Sequence, residues 1–457
     1  AAPADLSAWF RVTQDIDMSA VEDLTPIAPD EGEVLPFNGQ IDGDGHTIAG
    51  LHLYVVEDPG RPMAWICETG TDALITALHF TGVDIGGLGI IATVAVRNRG
   101  TIEDCTVAGV LESRGQAEGL YEGEKGLGSA SIGGVCWTNY GLVQRCTSSV
   151  EIGSCREAGG VVNANYIGGQ ILDCVFNGSI GGDPDYAAGI AEVNGGLISR
   201  CIYSGTFLRG LETAGIVTRN NGAVTQCCSY PGGRYALCWT NNGAISQSYA
   251  ACPYGPEVSS VQWLIGWNYP EGILSQCYMS IRNGKKHRQL GFLGGVSEVQ
   301  VADCFWDMNA TGVPCSALGG QGRTTVEMMR KATFTTELAA LGETPWDFEN
   351  VWDIREGQTY PWLRALGEIA VVPYEVSDLP VAEWPHDADL DGDLDIELSD
   401  LLRVIQFYNA GGYHCAEAGA ETEDGFVAGP SVYLHNCRRH DSDYLGGEFS
   451  ISLDELL

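Results

Sequence analysis

Short runs of alternating apolar and polar residues fill the middle of the chain, and they recur around asparagine, glycine and cysteine. Each copy has a small-residue or glycine pair, an apolar residue, a short gap, and then Asn-x-Gly-x-(Ile/Val/Leu)-x-x-Cys. From the third copy onward the cysteine position recurs every 21 to 29 residues, which is the size of one coil of a solenoid. The asparagines of the seven copies are Asn98, Asn139, Asn165, Asn194, Asn220, Asn241 and Asn268.

The residue types of this unit predict short strands that are stacked in coils. Asparagine and glycine tolerate positive φ, so we expect them at the tight corner of each coil. The apolar residue and the cysteine after them fit a strand with one buried face. Because a single coil cannot bury that face alone, the pattern predicts an all-β fold, a right-handed β-solenoid (β-helix) whose equivalent side chains form internal ladders.

The repeat core Gly-Gly-(Ile/Val)-x-x-x-Asn-x-Gly-x-Ile-x-x-Cys resembles the GLUG-motif repeats of bacterial secreted and surface proteins, over roughly residues 85–305. Residues 37–53 resemble the first coil of such β-helices, and residues 304–307 with 319–328 resemble their closing segment. The departures are Ser248 in a cysteine position and a long, irregular coil between Cys105 and Cys146. The resemblance divides the chain into a cap with opening coils (1–84), repeats (85–305), a closing cap (306–366), a linker (367–385) and a C-terminal module (386–457).

The closing cap is predicted to contain a helix over about residues 325–341, ended by Gly342 and Pro345. An aromatic strand pair ending at residues 360–362 would follow it. We expect this cap to cover the strand edge that the last coil would otherwise leave open.

Sixteen cysteines without a CxxC…CxxC zinc spacing favour an oxidising compartment, with buried cytosolic thiols as the alternative. The repeat cysteines form a single file, which lacks the tetrahedral clustering of a zinc site. They are interpreted as small buried hydrophobic residues, and neighbouring ones could also form disulfides. Cys415 and Cys437 are predicted to form a local disulfide.

The charge of the chain excludes several partners. It has 60 acidic and 24 basic residues, a net charge of −36, so nucleic acid and anionic membranes would be repelled. No apolar run reaches the length of a membrane span, which argues against membrane insertion. The sequence starts with neither methionine nor an apolar leader, so we expect a secreted or cell-surface protein.

The clearest candidate chemistry is an acidic loop at the start of the C-terminal module. Aspartates at every second position can turn several carboxylates onto one Ca²⁺, and an apolar helical face follows the loop through Leu398, Leu401, Leu402, Ile405 and Tyr408. Loop and helix resemble half of a dockerin-type, EF-hand-like calcium module. The candidate calcium ligands are Asp387, Asp389, Asp391, Asp393, Asp395 and Asp400.

Two registers fit this loop. Starting at Asp387 places Gly392 at position six but Leu398 at position twelve, whereas starting at Asp389 places Asp400 at position twelve and matches a dockerin better. The loop recurs in weaker form from His440, and the second copy ends where the first helix is only beginning. We therefore expect a partner, either a second copy of this chain or another surface or scaffold protein, to supply the missing packing.

Signs of catalysis are weaker. Asp183, Asp185 and Glu192 lie near one another in the sequence, and glycosidases use two carboxylates. The chain has no Gly-x-Ser-x-Gly, His-Glu-x-x-His or Walker motif, and His46 is interpreted as part of a β-turn.

These observations support two main hypotheses. The first is a non-catalytic extracellular structural or adhesion protein, stabilised by calcium, which attaches or self-assembles, into a filament or surface layer for example, through its C-terminal module. The alternative is a β-helix polysaccharide lyase or glycoside hydrolase that the module anchors to a scaffold. A passive carbohydrate-binding protein would use the same solenoid face without the acids.

Overall fold

The computed structural model describes residues 6–21, 24–28, 35–55, 62–113, 130–208, 210–230, 233–252, 263–281, 291–296, 300–311, 320–367, 405–406, 413–415 and 426–428. Three long sheets of parallel strands dominate this part of the chain. Successive strands along the chain enter the third, first and second sheet in turn, as in Val162–Asn165, Gln170–Leu172 and Val175–Phe176. The predicted β-solenoid is confirmed; its hand stays a prediction.

The first sheet has 11 strands, one for each coil. The middle residue of each strand points inward, so Ile75, Ile102, Val143 and Ile171 lie in register and are fully buried. Stacking identical or similar apolar side chains in this way gives every coil the buried face that it lacks alone. The strands are Trp9–Arg11, Gln40–Asp42, Leu74–Thr76, Thr101–Glu103, Leu142–Gln144, Gln170–Leu172, Leu197–Ser199, Ala223–Thr225, Ala244–Ser246, Ile273–Ser275 and Gln300–Ala302.

The second sheet has 16 strands, because several coils contribute two consecutive short strands to it. The main row is Ile16–Asp17, Thr47–Ala49, His79–Gly87, Thr106–Ser113, Thr147–Ser148, Val175–Phe176, Ile202–Tyr203, Cys228–Ser229, Tyr249–Cys252, Tyr278–Ile281, Phe305–Asp307 and Gln321–Arg323. The additional strands are His52–Val55, Glu151–Ile152, Ser179–Ile180 and Thr206–Phe207.

The third sheet has 14 strands in two rows that merge toward its C-terminal end. The upstream row is Ile90–Ala92, Ser131–Gly133, Glu157–Gly159, Tyr186–Ala188 and Glu212–Ala214. The downstream row is Ile66–Glu68, Ala95–Asn98, Cys136–Asn139, Val162–Asn165, Ala191–Asn194 and Val217–Asn220. Single longer strands then replace both rows, namely Tyr235–Asn241, Trp263–Asn268 and Gly291–Val296.

The repeat asparagines form a buried ladder at the end of the downstream row. Each amide donates from Nδ2 to Oδ1 of the asparagine in the next coil, over 2.6 to 2.9 Å from Asn98 to Asn268. Thr69 Oγ1 donates to Asn98 at one end, and Asn268 donates to the Gly272 carbonyl at the other. The asparagines are thus held by continuous hydrogen bonding inside the wall of the solenoid.

The expectation that asparagine and glycine supply the positive φ of the corner is wrong. None of the seven asparagines, nor Gly100, Gly141 or Gly196, has a positive φ. That conformation belongs to the residue before each repeat cysteine or its serine substitute, where φ is between 47 and 54. These residues are Asp104, Arg145, Asp173, Arg200, Gln226, Gln247, Gln276 and Asp303.

Charged and amide side chains also stack along this positive-φ column. Arg145 makes two hydrogen bonds of 2.7 Å to Asp104, and Arg200 holds Asp173 in the same way at 2.6 and 2.7 Å. Pairing with Arg145 lowers the pKa of Asp104. Each pair lies on neighbouring coils, so these contacts help to fix the register between coils.

The repeat cysteines lie inside the core as single thiols. Each Sγ lies 3.1 to 3.4 Å from the carbonyl two residues earlier, and Ser248 Oγ keeps that contact at 2.8 Å. Burial raises the pKa of Cys174 and Cys227, which keeps these thiols protonated and unreactive. Twelve cysteines whose side chains the structure describes are buried and in no disulfide, so the predicted disulfides are not present among them. The predicted Cys415–Cys437 pair stays a prediction, because Cys437 lies outside the described residues.

The closing cap folds back over the outer face of the second sheet. Because strand side chains alternate, Phe176 and Tyr203 point into the solenoid whereas Tyr249, Tyr278 and Phe305 point out, under the cap. Tyr278 donates its hydroxyl to the Pro361 carbonyl at 2.7 Å, and Gln321–Arg323 pairs with Phe305–Asp307 as a further strand. The cap therefore covers a sheet face as well as a strand edge.

The cap contains short helices in place of the single one predicted. They are Met308–Thr311, Thr325–Met328, Lys331–Phe334 and Thr336–Ala340, followed by the 3-10 helix Arg364–Leu366. Thr324 and Glu327 form a capping box at the second helix, and Arg330 is extended, which ends the continuous helix early. The predicted aromatic strand pair is confirmed as Trp352–Asp353 against Trp362–Leu363.

Within the C-terminal module, residues 405–406 are helical, and Tyr413–Cys415 pairs antiparallel with Phe426–Ala428. None of the helices in the described ranges is long and apolar enough to cross a membrane.

Candidate functional site

The third sheet bends sharply between its two strand rows, at the glycine pair of the repeat. A Cβ on Gly159 would lie 1.8 Å from the Val162 carbonyl oxygen, three residues further along. A Cβ on the next glycine, Gly160, would lie 2.5 Å from the Phe176 ring inside the solenoid. Glycine is required here because the backbone turns and packs against a large core side chain at the same point.

This bend brings outward side chains of the two rows together, and we call the surface between the rows, from Trp137 to Trp267, the crease. Tyr186 of the upstream row stacks on Trp239 with 5.3 Å between ring centroids. The Arg219 guanidinium lies 5.0 Å from the centre of the Tyr186 ring. Further along, Tyr235 stacks on Trp263 at 5.9 Å. Aromatic rings and a cation therefore line the crease over several coils.

Two glutamates in the crease face Arg219. Glu192 Oε1 lies 2.7 Å from Arg219 Nη2, and Glu157 Oε1 lies 4.0 Å from the same nitrogen. The two carboxylate oxygens are therefore no further apart than the sum of these distances, 6.7 Å. Glu192 is only 1% exposed, whereas Glu157 and Arg219 reach the solvent.

Burial raises the pKa of Glu192 to about 7, because desolvation outweighs the attraction of Arg219 and the nearby Glu157 adds repulsion. Arg219 has its own pKa raised by Glu192, although burial works in the opposite direction. The crease thus holds one carboxyl group that changes charge near neutral pH.

A row of buried polar atoms runs along the floor of the crease. Trp137, Asn163, Glu192 and Thr218 occupy equivalent positions on four consecutive coils. Within the part of the chain that the structure describes, one polar atom of each side chain is buried without a hydrogen-bond partner. For Glu192 that atom is Oε1, which forms the 2.7 Å ion pair with Arg219 Nη2. A buried polar group without a partner costs about 1 to 3 kcal/mol, so the other three, in Trp137, Asn163 and Thr218, make this floor a candidate binding surface.

The structure brings one of the three predicted acids into this site. Glu192 lies in the crease, but its neighbouring carboxylate is Glu157 rather than Asp183 or Asp185. Asp185 lies 3.5 Å from Arg156, and Asp183 adopts a positive φ of 56° in the preceding loop. His46 closes a turn by donating its N–H to the Gly43 carbonyl, as predicted.

The predicted calcium ligands, Asp387, Asp389, Asp391, Asp393, Asp395 and Asp400, all lie outside the described residues. Across the ranges that the structure does describe, no group of three or more His, Cys, Asp and Glu side chains could hold a metal ion.

Glu157, Arg219, Tyr186 and Trp239 were not predicted as site residues. A signal for them exists in the repeat itself. Once the copies are aligned on the asparagine, Glu192, Thr218 and Trp239 fall at the same position, two residues before it. A polar or aromatic residue at a position flanked by buried ones indicates an outward-facing column.

Comparisons with known proteins give little further guidance. No protein-family model matches the chain, and no curated protein matches it. The resemblance to GLUG repeats and to dockerins therefore stays a prediction. The chain is similar to the crystal structure of a Bacteroides ovatus protein described as a putative immunoglobulin A1 protease. The sequences are 14% identical, the match covers 78% of this chain and 86% of that one, and the TM-score is 0.32. A likeness this loose says nothing about activity.

We expect Glu192→Gln to weaken the pH dependence of stability. Since the pKa of Glu192 is about 7 in the folded chain, above the usual glutamate value of 4.5, folding favours its protonated form. The contribution of the Glu192 carboxyl to the free energy of unfolding is fully present below about pH 4.5. Up to about 3 kcal/mol of it is lost as the pH rises through about 7. Glutamine stays neutral, so the wild type should lose more stability than the variant between pH 5 and pH 8. Urea unfolding at both pH values measures this, and parallel losses in the two proteins would contradict it.

Proposed function

We propose that this chain is a non-catalytic extracellular structural or adhesion protein, built as a rigid solenoid with a calcium-dependent C-terminal attachment module. The observation that carries the proposal is the continuous stacking of the solenoid. Its first sheet runs through 11 strands, which at about 4.8 Å per strand is about 48 Å long. The asparagine ladder, at the end of the downstream row of the third sheet, joins seven coils by continuous hydrogen bonds.

The attachment role rests on the sequence of the C-terminal module. Residues 381–457 contain 17 acidic and 3 basic residues, and repulsion among such carboxylates opposes folding until a cation neutralises them. Calcium at Asp389, Asp391, Asp393 and Asp400 would hold the loop closed, with Asp387 and Asp395 alongside. The apolar helical face after the loop would then dock on a second copy of the chain or on another surface or scaffold protein.

We expect calcium to stabilise the full chain and the double variant Asp391→Asn, Asp393→Asn to abolish the effect. Thermal unfolding is followed by calorimetry in calcium and in EGTA. Calcium should raise the transition temperature of the wild type by several degrees and leave that of the double variant unchanged. The matched control is Asp72→Asn with Glu349→Gln, which removes two exposed acids elsewhere and should keep the response. Identical curves in calcium and EGTA would contradict the calcium role.

Self-association is measured separately, by analytical ultracentrifugation in calcium over a range of concentrations. We expect larger species to form with calcium and to dissociate in EGTA. A single monomeric species at high concentration in calcium would exclude self-assembly and leave attachment to another protein.

The second candidate function, a polysaccharide lyase or glycoside hydrolase, is favoured by the pair Glu157 and Glu192. Their separation is at most 6.7 Å, which does not exceed the range of about 5 to 9.5 Å used by glycosidases. A screen of polysaccharides for chain shortening tests it. If any polysaccharide is shortened by the wild type and not by Glu192→Gln, the chain is an enzyme.

A further inference from the structure

We propose that the crease of the third sheet is a binding site for an extended, uncharged oligosaccharide. The proposal gives the adhesion function a ligand, but it does not depend on calcium or on the C-terminal module. It rests on three features of the described residues: stacked aromatic rings, a floor of unpaired polar atoms, and a balance of charges.

The aromatic rings follow the direction of the solenoid axis. Tyr186 and Trp239 form one stack, Tyr235 and Trp263 form a second, and Trp267 is 51% exposed in the column that also holds Arg219. From Trp137 to Trp267 the crease crosses six coils, a length of about 24 Å. Sugar rings present flat C–H faces that pack against aromatic rings, and the half-buried Trp239 and Trp263 with the exposed Trp267 offer such rings along the crease.

The floor of the crease supplies both donors and acceptors. The unpaired atoms of this row are donors in Trp137 and Asn163 and a hydroxyl in Thr218, while Glu192 is paired with Arg219. Beside them, Arg219 Nε and Glu212 Oε2 are also buried without a partner in the described part of the chain. A sugar hydroxyl both donates and accepts, so a glycan can satisfy this mixed set, whereas a purely anionic or cationic ligand satisfies only half of it.

The charges of the crease select against ionic polymers. Glu157, Glu192 and Glu212 would repel a polyuronate, as would the overall charge of −36. Arg219 and Arg234 lie in the same crease, against Tyr186 and Tyr235, and are paired with Glu192 and Glu212, so a cationic polymer would have to compete with both arginines for these carboxylates. An uncharged glycan meets neither penalty.

The experiment is affinity electrophoresis of the full chain in gels containing one soluble polysaccharide. The probes are xyloglucan, galactomannan and mixed-linkage β-glucan as uncharged chains, with polygalacturonate as the charged one. We expect at least one uncharged chain to retard the protein, equally in calcium and in EGTA. Trp239→Ala and Arg219→Ala should each weaken that retardation at least tenfold, and Trp239→Phe should retain most of it.

The matched control is Tyr166→Ala. Tyr166 is also exposed and also stacks on an aromatic neighbour, Tyr140, at 4.7 Å, but it lies after the asparagine ladder and outside the crease. It should bind like the wild type, and circular dichroism establishes that each variant is folded. The proposal is overturned if no uncharged polysaccharide retards the protein, if a charged one does so more strongly, or if Trp239→Ala and Tyr166→Ala behave alike. Because binding is measured with and without calcium, failure of the calcium module leaves this result unaffected.

Discussion

Gly196→Ala should destabilise the solenoid by about 3 kcal/mol or more, whereas Gly195→Ala, one residue earlier, should change the free energy of unfolding by less than about 1 kcal/mol. A Cβ on Gly196 would lie 2.1 Å from the Gly169 carbonyl oxygen of the preceding coil. That oxygen accepts a hydrogen bond from the Leu197 N–H, so it cannot move aside without breaking the sheet.

Gly195 is the control for Gly196, because a Cβ at that position would meet no close contact. The nearest atom to a Cβ on Gly195 is the Ile167 nitrogen at 3.5 Å, an ordinary van der Waals distance, and neither glycine has a positive φ. Neither change therefore forces alanine into the left-handed region, and the contact of the new Cβ is what separates them. Urea unfolding of the two variants measures the difference. Equal destabilisation would show that chain entropy, rather than the stacking distance, explains the glycine of the repeat.

The repeat shows why part of the fold could be predicted from the sequence. The apolar pattern around Ile102 and Cys105 indicates which side chains face inward, and it does so without knowledge of the neighbouring coils. The solenoid and its inward thiols could therefore be predicted from the sequence. The role of asparagine did not follow, because asparagine is common both at corners and in ladders. Only the stacking of coils decides between them, and it places Asn98 and Asn139 within 2.8 Å of each other.

The positive-φ position was missed for a related reason. Arg145, Arg200 and Gln226 hold that conformation although their residue types do not favour it. The surrounding sheets fix the turn and the side chains adapt, as in the paired Asp104 and Arg145. Tertiary structure overrides local preference here.

The crease was missed because its residues come from strands that are separated by the glycine bend. Glu157 and Glu192 are 35 residues apart in sequence, and no local pattern joins them. Glu192 was singled out because of acids near it in the sequence, yet the carboxylate beside it belongs to the preceding coil. In a solenoid, the neighbours that decide the chemistry of a side chain lie one coil away, so candidate sites are found by comparing aligned positions of successive repeats.

Removing one asparagine of the ladder should also cause a large loss of stability. We expect Asn194→Ala to destabilise the chain by about 4 kcal/mol. Asn194 accepts from Asn165 and donates to Asn220, both at 2.8 Å, and it also contacts the Gly196 N–H and the Ala223 carbonyl. Alanine removes all of these and leaves polar groups of two neighbouring coils buried without partners.

The loss should spread along the ladder, because hydrogen bonds in a chain polarise one another. Hydrogen exchange of the full chain detects this as faster exchange of the amides on the coils of Asn165 and Asn220 as well as on the coil of Asn194. The control is Asn221→Ala, at an exposed asparagine that makes one 3.3 Å hydrogen bond with Asn242 and should cost less than about 1 kcal/mol. If Asn194→Ala costs no more than this control, the ladder is a consequence of the coil stacking and not one of its causes.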